Sequence, residues 1–60
     1  RHADVADMIL DFVYQYQGEI PLIIICGNSV RMITIVSDIL TKDSIIFSSP
    51  RFGIIRVERI

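Results

Sequence analysis

The chain is predicted to fold as a two-layer α/β (α+β) domain, a βαβαββ-type open mixed sheet with two helices whose first strand is absent from these 60 residues. Three observations lead to this prediction: apolar side chains recur at helical spacing in two segments, a short apolar run separates those segments, and two β-rich runs follow. A strand before residue 1 would complete the pattern through right-handed crossovers. We therefore expect one small α/β domain over residues 1–60, incomplete at its N-terminus.

The first helix is expected to begin at Asp4, which is a good N-cap residue, and to end at Gly18. Asp7 stands in its first turn, where an acid favours the helix dipole. The apolar residues between these limits have the spacing of one buried helical face: Val5, Met8, Ile9, Phe12, Val13 and Tyr16. The segment therefore predicts an amphipathic helix packed on a sheet.

The next two elements are a buried strand and a second helix. Leu22 to Cys26 is an unbroken apolar run, too short for a helix and rich in β-branched residues. Because such runs are typically buried on both faces, we expect a central strand with parallel neighbours, ended by Gly27. Asn28 or Ser29 then caps a helix that reaches about Lys42, with an inner face of Met32, Ile33, Val36, Ile39 and Leu40.

The C-terminal part is predicted to form two strands. They cover Ile45 to Phe47 and Phe52 to Val57, and the intervening Ser48-Ser49-Pro50-Arg51 is read as the turn because serine and proline favour turns. Arg56 and Glu58 fall on one side of the last strand. Arg51 in the predicted turn is the best placed of the scattered C-terminal cations to reach a nucleic-acid backbone.

The most informative stretch is the junction where the apolar strand runs into Gly27, Asn28, Ser29 and Arg31. Backbone N–H groups at the start of a helix face whatever lies beyond the strand, and the helix dipole favours an anion there. Asn28 and Ser29 are also explained as helix caps alone, and the two roles are compatible because a ligand satisfies other N–H groups. The junction predicts a phosphate or another anion as ligand.

Composition limits the remaining possibilities. The net charge of −1 confines any nucleic-acid contact to a local patch, because nonspecific binders normally carry a basic surplus. Cys26 is the one cysteine, so no intrachain disulfide or thiolate metal site forms. We predict no metal, no cofactor and no membrane association, and a reducing, cytoplasmic compartment. The 52% hydrophobic content also predicts a protein partner or a homo-oligomer.

Two motifs resemble the small MutS-related (Smr) domain family. In the first family motif, a strand ends in Asp-Leu-His-Gly or Asp-Leu-Arg-Gly before a capped helix. When the two are aligned through Val5, Arg1 takes the place of the His or Arg and His2 takes the place of the Gly. The Asp and Leu of the motif are not in this chain. The second family motif, His-Gly-x-Gly at a helix start, aligns with Cys26-Gly27-Asn28-Ser29, in which only Gly27 matches. The apolar strand Ile54 to Val57 also resembles the family's end.

The resemblance implies a nucleic-acid-binding domain, because Smr domains bind nucleic acid and several cut DNA or RNA. It implies backbone contacts from Arg1, Gly27, Asn28, Ser29, Arg31 and Arg51, and it makes His2 the candidate for proton transfer in an endonuclease. Without the family's Asp, we expect cleavage only in a longer form of the protein. An exposed, nonfunctional His2 is the simpler interpretation of that residue.

Two other functions are kept open. A noncatalytic module that docks onto a partner protein fits the high apolar content. A cysteine-dependent phosphatase is the less favoured alternative: the segment from Cys26 to Arg31 resembles the phosphate loop of low-molecular-weight tyrosine phosphatases, in which a strand-end thiolate attacks phosphorus. Here that loop is one residue shorter, and it follows the second strand of the pattern rather than the first.

Overall fold

The computed structural model describes the backbone of residues 2–60 and the side chains of residues 5–60, so Arg1 and the side chain of His2 lie outside the described part. The elements are α1 (His2–Gln15), a 3₁₀ turn (Gln17–Glu19), β1 (Leu22–Ile25), α2 (Val30–Lys42), β2 (Ile46–Arg51) and β3 (Ile54–Arg59). Two helices and a three-stranded antiparallel sheet make a small α+β fold. The predicted fold class is confirmed.

The strand β1 differs from the prediction. The sheet has the order β1-β3-β2, so within residues 2–60 β1 pairs with β3 alone and antiparallel, with Leu22 opposite Val57 and Ile25 opposite Ile54. Its side chains alternate, since Leu22 is buried whereas Ile23 and Ile25 are 50% and 77% exposed. The prediction that this strand is buried on both faces is therefore wrong for the described residues, because helices cover only one face of this sheet. Its predicted central position depends on a strand before residue 1 and stays a prediction.

The core lies between the helices and that covered face. The helix α2 packs against β2 and β3, and α1 packs beside α2. The helix α1 contributes Val13 to this core. The buried residues come from every helix and from β1 and β3, together with the residue before β2: Val13, Leu22, Val36, Leu40, Ile45, Ile55 and Val57.

The helix ends agree with the sequence in part. Ser29 is the N-cap of α2, and Lys42 is its last residue, as predicted. The helix α1 already includes His2, so Asp4 lies inside the helix and not at its cap. It ends at Gln15, and Gly18 belongs to the following 3₁₀ turn. Met32, assigned to the inner face of α2, is 37% exposed.

The hairpin turn also differs from the prediction. Residues 48–51 belong to β2, and the chain reverses at Phe52-Gly53, where Gly53 has a φ of +85°. Glycine adopts this left-handed conformation without a Cβ penalty, so it fixes the turn more strongly than Ser48 and Pro50 do. Pro50 is accommodated because the β2 and β3 register shifts between Ser48 and Arg51. Arg51 is thus the last residue of a strand.

Candidate anion site at the start of α2

The predicted anion site lies where β1 ends and α2 begins. The Ser29 side chain accepts a hydrogen bond from the Met32 backbone N–H at 3.1 Å, and the Ile33 N–H donates to the Ser29 carbonyl at 3.0 Å. The first turn of α2 contains no acidic residue. Helix geometry leaves the N–H groups of Val30 and Arg31 without an intrahelical acceptor, so they are available to an external anion.

The turn before the helix is held against the β2–β3 hairpin. The Cys26 N–H donates to the Gly53 carbonyl at 2.7 Å, and a Cβ placed on Gly53 would collide with the Gly27 carbonyl. Gly27 itself has a φ of +65°, with open space around its Cα. Gly53 thus lets the hairpin approach the end of β1 closely, and Gly27 supplies the left-handed conformation at that end.

Strand pairing brings Arg51 to the same end of the sheet as Arg31. Arg51 lies opposite Ile54, and Ile54 lies opposite Ile25, so two strand spacings, about 10 Å, separate Arg51 from the end of β1. Arg31 and Arg51 are both exposed. Among residues 5–60 the ion pair found is Arg56 with Glu58 at 3.6 Å, and it involves neither of these two arginines.

The start of α1 lies at the same end of the molecule as the start of α2. Tyr14, near the end of α1, donates a 3.0 Å hydrogen bond to Asp43, just beyond the end of α2. The two helices therefore run parallel, and the backbone of His2 begins its helix on the same side as Ser29. The predicted roles of Arg1 and of the His2 imidazole concern atoms outside the described residues, so they stay predictions.

The remaining predicted residues, Gly27, Asn28 and Ser29, are all exposed and form the loop between β1 and α2. Ser29 and not Asn28 makes the cap contact, so the cap alone explains Ser29 and leaves the Asn28 side chain without an assigned structural role. A separate groove of about 500 Å³ lies between α1 and α2, lined in part by Ala6, Leu10 and Ile39. None of the predicted site residues lines that groove.

The thiol of Cys26 does not have the properties of an activated nucleophile. Partial burial raises the pKa of Cys26 above its ordinary value of 9.0, because desolvation penalises the thiolate. A phosphatase nucleophile needs the opposite shift, which a nearby cation or helix N-terminus normally supplies. The direction of this pKa shift does not support the cysteine-dependent phosphatase, which stays the less favoured alternative.

Sequence reasoning assigned to the buried face of the first helix three residues that are exposed. Met8 and Phe12 on α1 and Tyr16 just after it are 65%, 37% and 41% exposed, although their spacing predicts a buried face. The sequence signal that identifies them is the width of the apolar stripe, which exceeds what one small sheet covers. The Phe52-Gly53 turn was missed as well, although glycine in a two-residue connection is a hairpin signal.

The described residues also limit other types of site. No helix in residues 2–60 is long and apolar enough to cross a bilayer, and no three His, Cys, Asp or Glu residues with described side chains cluster as metal ligands would. Comparison with known protein families, with curated proteins and with solved structures finds no match. Function is therefore argued from the site itself.

Proposed function

We propose that this domain binds the phosphate backbone of a nucleic acid at the α2 start, which consists of Gly27, Asn28, Ser29 and Arg31 with Arg51 beside them. The observation that carries the proposal is that two exposed arginines lie at the same end of the sheet as an acid-free first helical turn. Phosphate oxygens would accept hydrogen bonds from the Val30 and Arg31 N–H groups, and the guanidinium groups would contact neighbouring phosphates.

Charge distribution supports the proposal. The whole chain is slightly acidic, but its acids and bases are segregated. Residues 31–60 hold five basic and three acidic side chains, whereas residues 1–30 hold four acidic side chains and a single basic one, that of Arg1. Arg31 and β2 belong to the basic half, so a backbone contact there is electrostatically favourable at moderate salt.

Backbone contacts alone carry no sequence information, so we expect binding with little sequence preference. Arg31 stands in the first turn of α2, where the dipole mildly disfavours a cation. A bound phosphate would reverse this penalty, since the anion interacts favourably with the dipole and with the guanidinium together. Arg31 is therefore the residue whose removal we expect to weaken binding most.

The test is a titration of fluorescent single- and double-stranded DNA and RNA with the wild-type chain, Arg31→Ala and Arg59→Ala, at two salt concentrations. Arg59 is the matched control, because it is an exposed arginine at the opposite end of the same sheet, paired with Ile46. We expect Arg31→Ala to weaken binding about five- to tenfold and to lower the salt dependence by about one phosphate contact.

The affinity of the control variant Arg59→Ala for nucleic acid is expected to stay within about twofold of the wild-type affinity. Equal losses in Arg31→Ala and Arg59→Ala would mean that binding is diffuse and that the α2 start is not the site. Absence of binding to every nucleic acid at low salt would overturn the proposal.

A further inference from the structure

Phe52 is an exposed aromatic residue at the tip of the β2–β3 hairpin, and the fold does not account for it. Its side chain is 66% exposed, and it belongs neither to the buried core nor to the residues packed against that core. The turn is determined by Gly53, whose φ is +85°, and it does not require a phenylalanine before the glycine. The Phe52 ring is therefore available to a ligand.

Strand register places Phe52 beside the proposed phosphate site. The pairing of β1 with β3 runs without a shift, and the hydrogen bond from the Cys26 N–H to the Gly53 carbonyl continues it by one residue. Phe52 comes next after Gly53 in this direction, so it lies beside Gly27 at one strand spacing, about 5 Å. Gly27 leads directly into the N-cap of α2. The ring and the first N–H groups of α2 are thus close enough for a short strand of nucleic acid to contact both.

The chain segments around Phe52 are cationic. Arg51 precedes Phe52 in sequence, and Arg31 follows the loop on the other side of Gly27; both arginines are exposed. Neither residues 25–31 nor residues 48–54, which form this end of the sheet, include an acidic residue. Surfaces that bind single-stranded nucleic acid combine these two elements, because cations contact the backbone and an aromatic ring stacks on the bases.

The two tyrosines are not placed for the same role. Tyr14 donates a hydrogen bond to Asp43, which follows the end of α2. The ring of Tyr16 lies 5.4 Å from the ring of Phe12, near the end of α1. Since the helices run parallel, both tyrosines lie at the end of the molecule opposite the start of α2. Phe52 is therefore better placed than either tyrosine to act together with the phosphate site.

We propose that Phe52 stacks on a base of the bound nucleic acid and that the domain consequently prefers single strands to duplexes. This inference rests on the proposed function, in which the start of α2 and Arg51 hold the phosphates. A single strand presents the faces of its bases, whereas neighbouring bases cover both faces in a duplex and unstacking costs free energy. Because every base has a stacking face, little sequence preference is still expected.

The first experiment compares three ligands: fluorescent oligothymidine, an abasic strand with the same number of phosphates, and a DNA duplex. We expect Phe52→Ala to weaken binding of oligothymidine about tenfold and to leave the abasic strand and the duplex within about twofold. Phe52→Tyr keeps an aromatic ring and should stay within about threefold of wild type, whereas Phe52→Leu keeps apolar bulk without the ring and should lose about fivefold.

Two further variants serve as controls for these titrations. Tyr16→Ala removes an exposed aromatic ring at the opposite end of the molecule, and we expect it to stay within about twofold of wild type for every ligand. Arg31→Ala should weaken oligothymidine and the abasic strand alike, because it removes a phosphate contact. Phe52 is exposed, so its variants are expected to fold, as circular dichroism checks.

The second experiment detects stacking directly. The chain contains no tryptophan, so Phe52→Trp introduces a single indole fluorophore at the turn. We expect oligothymidine to quench its emission, because a stacked base quenches indole, and we expect the abasic strand to leave the emission unchanged. Tyr16→Trp is the matched control, and its emission should respond to neither strand.

The outcomes separate this inference from the proposed function. If Arg31→Ala weakens both strands while Phe52→Ala changes neither, the phosphate site stands and the stacking role is overturned. Equal losses of oligothymidine and the abasic strand in Phe52→Ala would also overturn it, since the ring would then act without a base. If no strand binds at low salt, the proposed function fails and this inference fails with it.

An anionic lipid surface is the other partner that the experiment distinguishes. Ile25 and Val30 are 77% and 64% exposed near the same end of the sheet, so they could enter a membrane interface together with Phe52. A blue shift of Phe52→Trp emission with phosphatidylserine vesicles, without quenching by oligothymidine, would assign the turn to a lipid surface. That result would overturn the inference, whereas quenching by oligothymidine without a shift on vesicles would support it.

Discussion

The two edges of the sheet are built differently. On one side, β1 is short, regular and apolar, with Ile23 and Ile25 exposed. On the other side, β2 is longer and interrupted by register shifts, and its residues Ser48 to Arg51 are polar or proline and all exposed. The Ser49 hydroxyl bonds the carbonyls of Arg51 and Ile54, which ties this irregular segment to the hairpin.

The difference shows which edge is suited to solvent. A proline and a bulge prevent a further strand from continuing the β2 ladder. The β1 edge has none of these features, so leaving it in water exposes both apolar surface and backbone donors. The comparison therefore separates an edge that resists further pairing from one that, within residues 2–60, lacks such protection.

The largest expected effect comes from the glycine contact that joins the two edges. Gly53→Ala combines a left-handed φ of +85° with a collision against the Gly27 carbonyl. We expect it to lower the free energy of unfolding by about 3 kcal/mol. Urea denaturation followed by circular dichroism measures the change, and a domain of this size would be largely unfolded by it.

The matched control is Gly27→Ala. Gly27 also has a positive φ, but nothing crowds its Cα, so only the left-handed strain of about 1 kcal/mol is expected. Equal costs for the two substitutions would mean that the close approach of the hairpin to the β1 end contributes nothing. In that case the two edges would not be mechanically joined at this point.

A smaller effect on stability is expected when a protective feature is added to the β1 edge and another is removed from the β2 edge. The rate of aggregation then tests the difference between the edges. Ile25→Lys puts a charge on the exposed β1 edge, and Pro50→Val removes the proline from β2. Each is expected to change the free energy of unfolding by about 0.5 kcal/mol or less, because both positions are exposed. We expect slow β-aggregation to fall several-fold with Ile25→Lys and to rise several-fold with Pro50→Val.

Thioflavin fluorescence in parallel incubations at equal concentration measures these rates. Val30→Lys is the control for added charge, because Val30 is 64% exposed but lies in a helix and not on an edge. If Val30→Lys slows aggregation as much as Ile25→Lys, net charge and not edge protection governs the rate.

The smallest effect concerns the ends of β1 and β2. The pH at which a thiol at each end is alkylated shows how far that position is shielded from solvent. Burial raises the pKa of Cys26, so its alkylation by iodoacetamide should reach half its maximal rate above pH 9.0. An exposed thiol made by Arg51→Cys in a Cys26→Ser chain should react at lower pH. The same reaction profile at both positions would show that the end of β1 is no more enclosed than the end of β2.

The sign of the linked stability follows from the direction of this shift. Because the pKa of Cys26 is raised in the folded state, its contribution to stability is fully present below the unfolded pKa. That contribution is lost as pH rises through the folded pKa. The alkaline decline in stability should therefore be shallower in Cys26→Ser than in wild type.

The sequence predicted much of the local structure. The helical spacing of Val36 and Leu40, the cap at Ser29 and the end at Lys42 follow from interactions within a few residues, and the structure reproduces them. The α+β class follows from the order of such segments. The candidate anion site was likewise found from a contiguous motif, Gly27 to Arg31, and its function stays a prediction for the titration to decide.

Tertiary structure alone decided the neighbours of each strand. The run Leu22 to Ile25 is compatible with parallel or antiparallel neighbours, and the tertiary structure pairs it antiparallel with β3 and leaves Ile23 and Ile25 exposed in the described part of the chain. The chain turns at Gly53, which lies close to Gly27, and this turn places Arg51 at the same end of the sheet as Arg31. Local periodicity records which side chains share a face, but strand pairing depends on residues distant in sequence, and no short pattern encodes it.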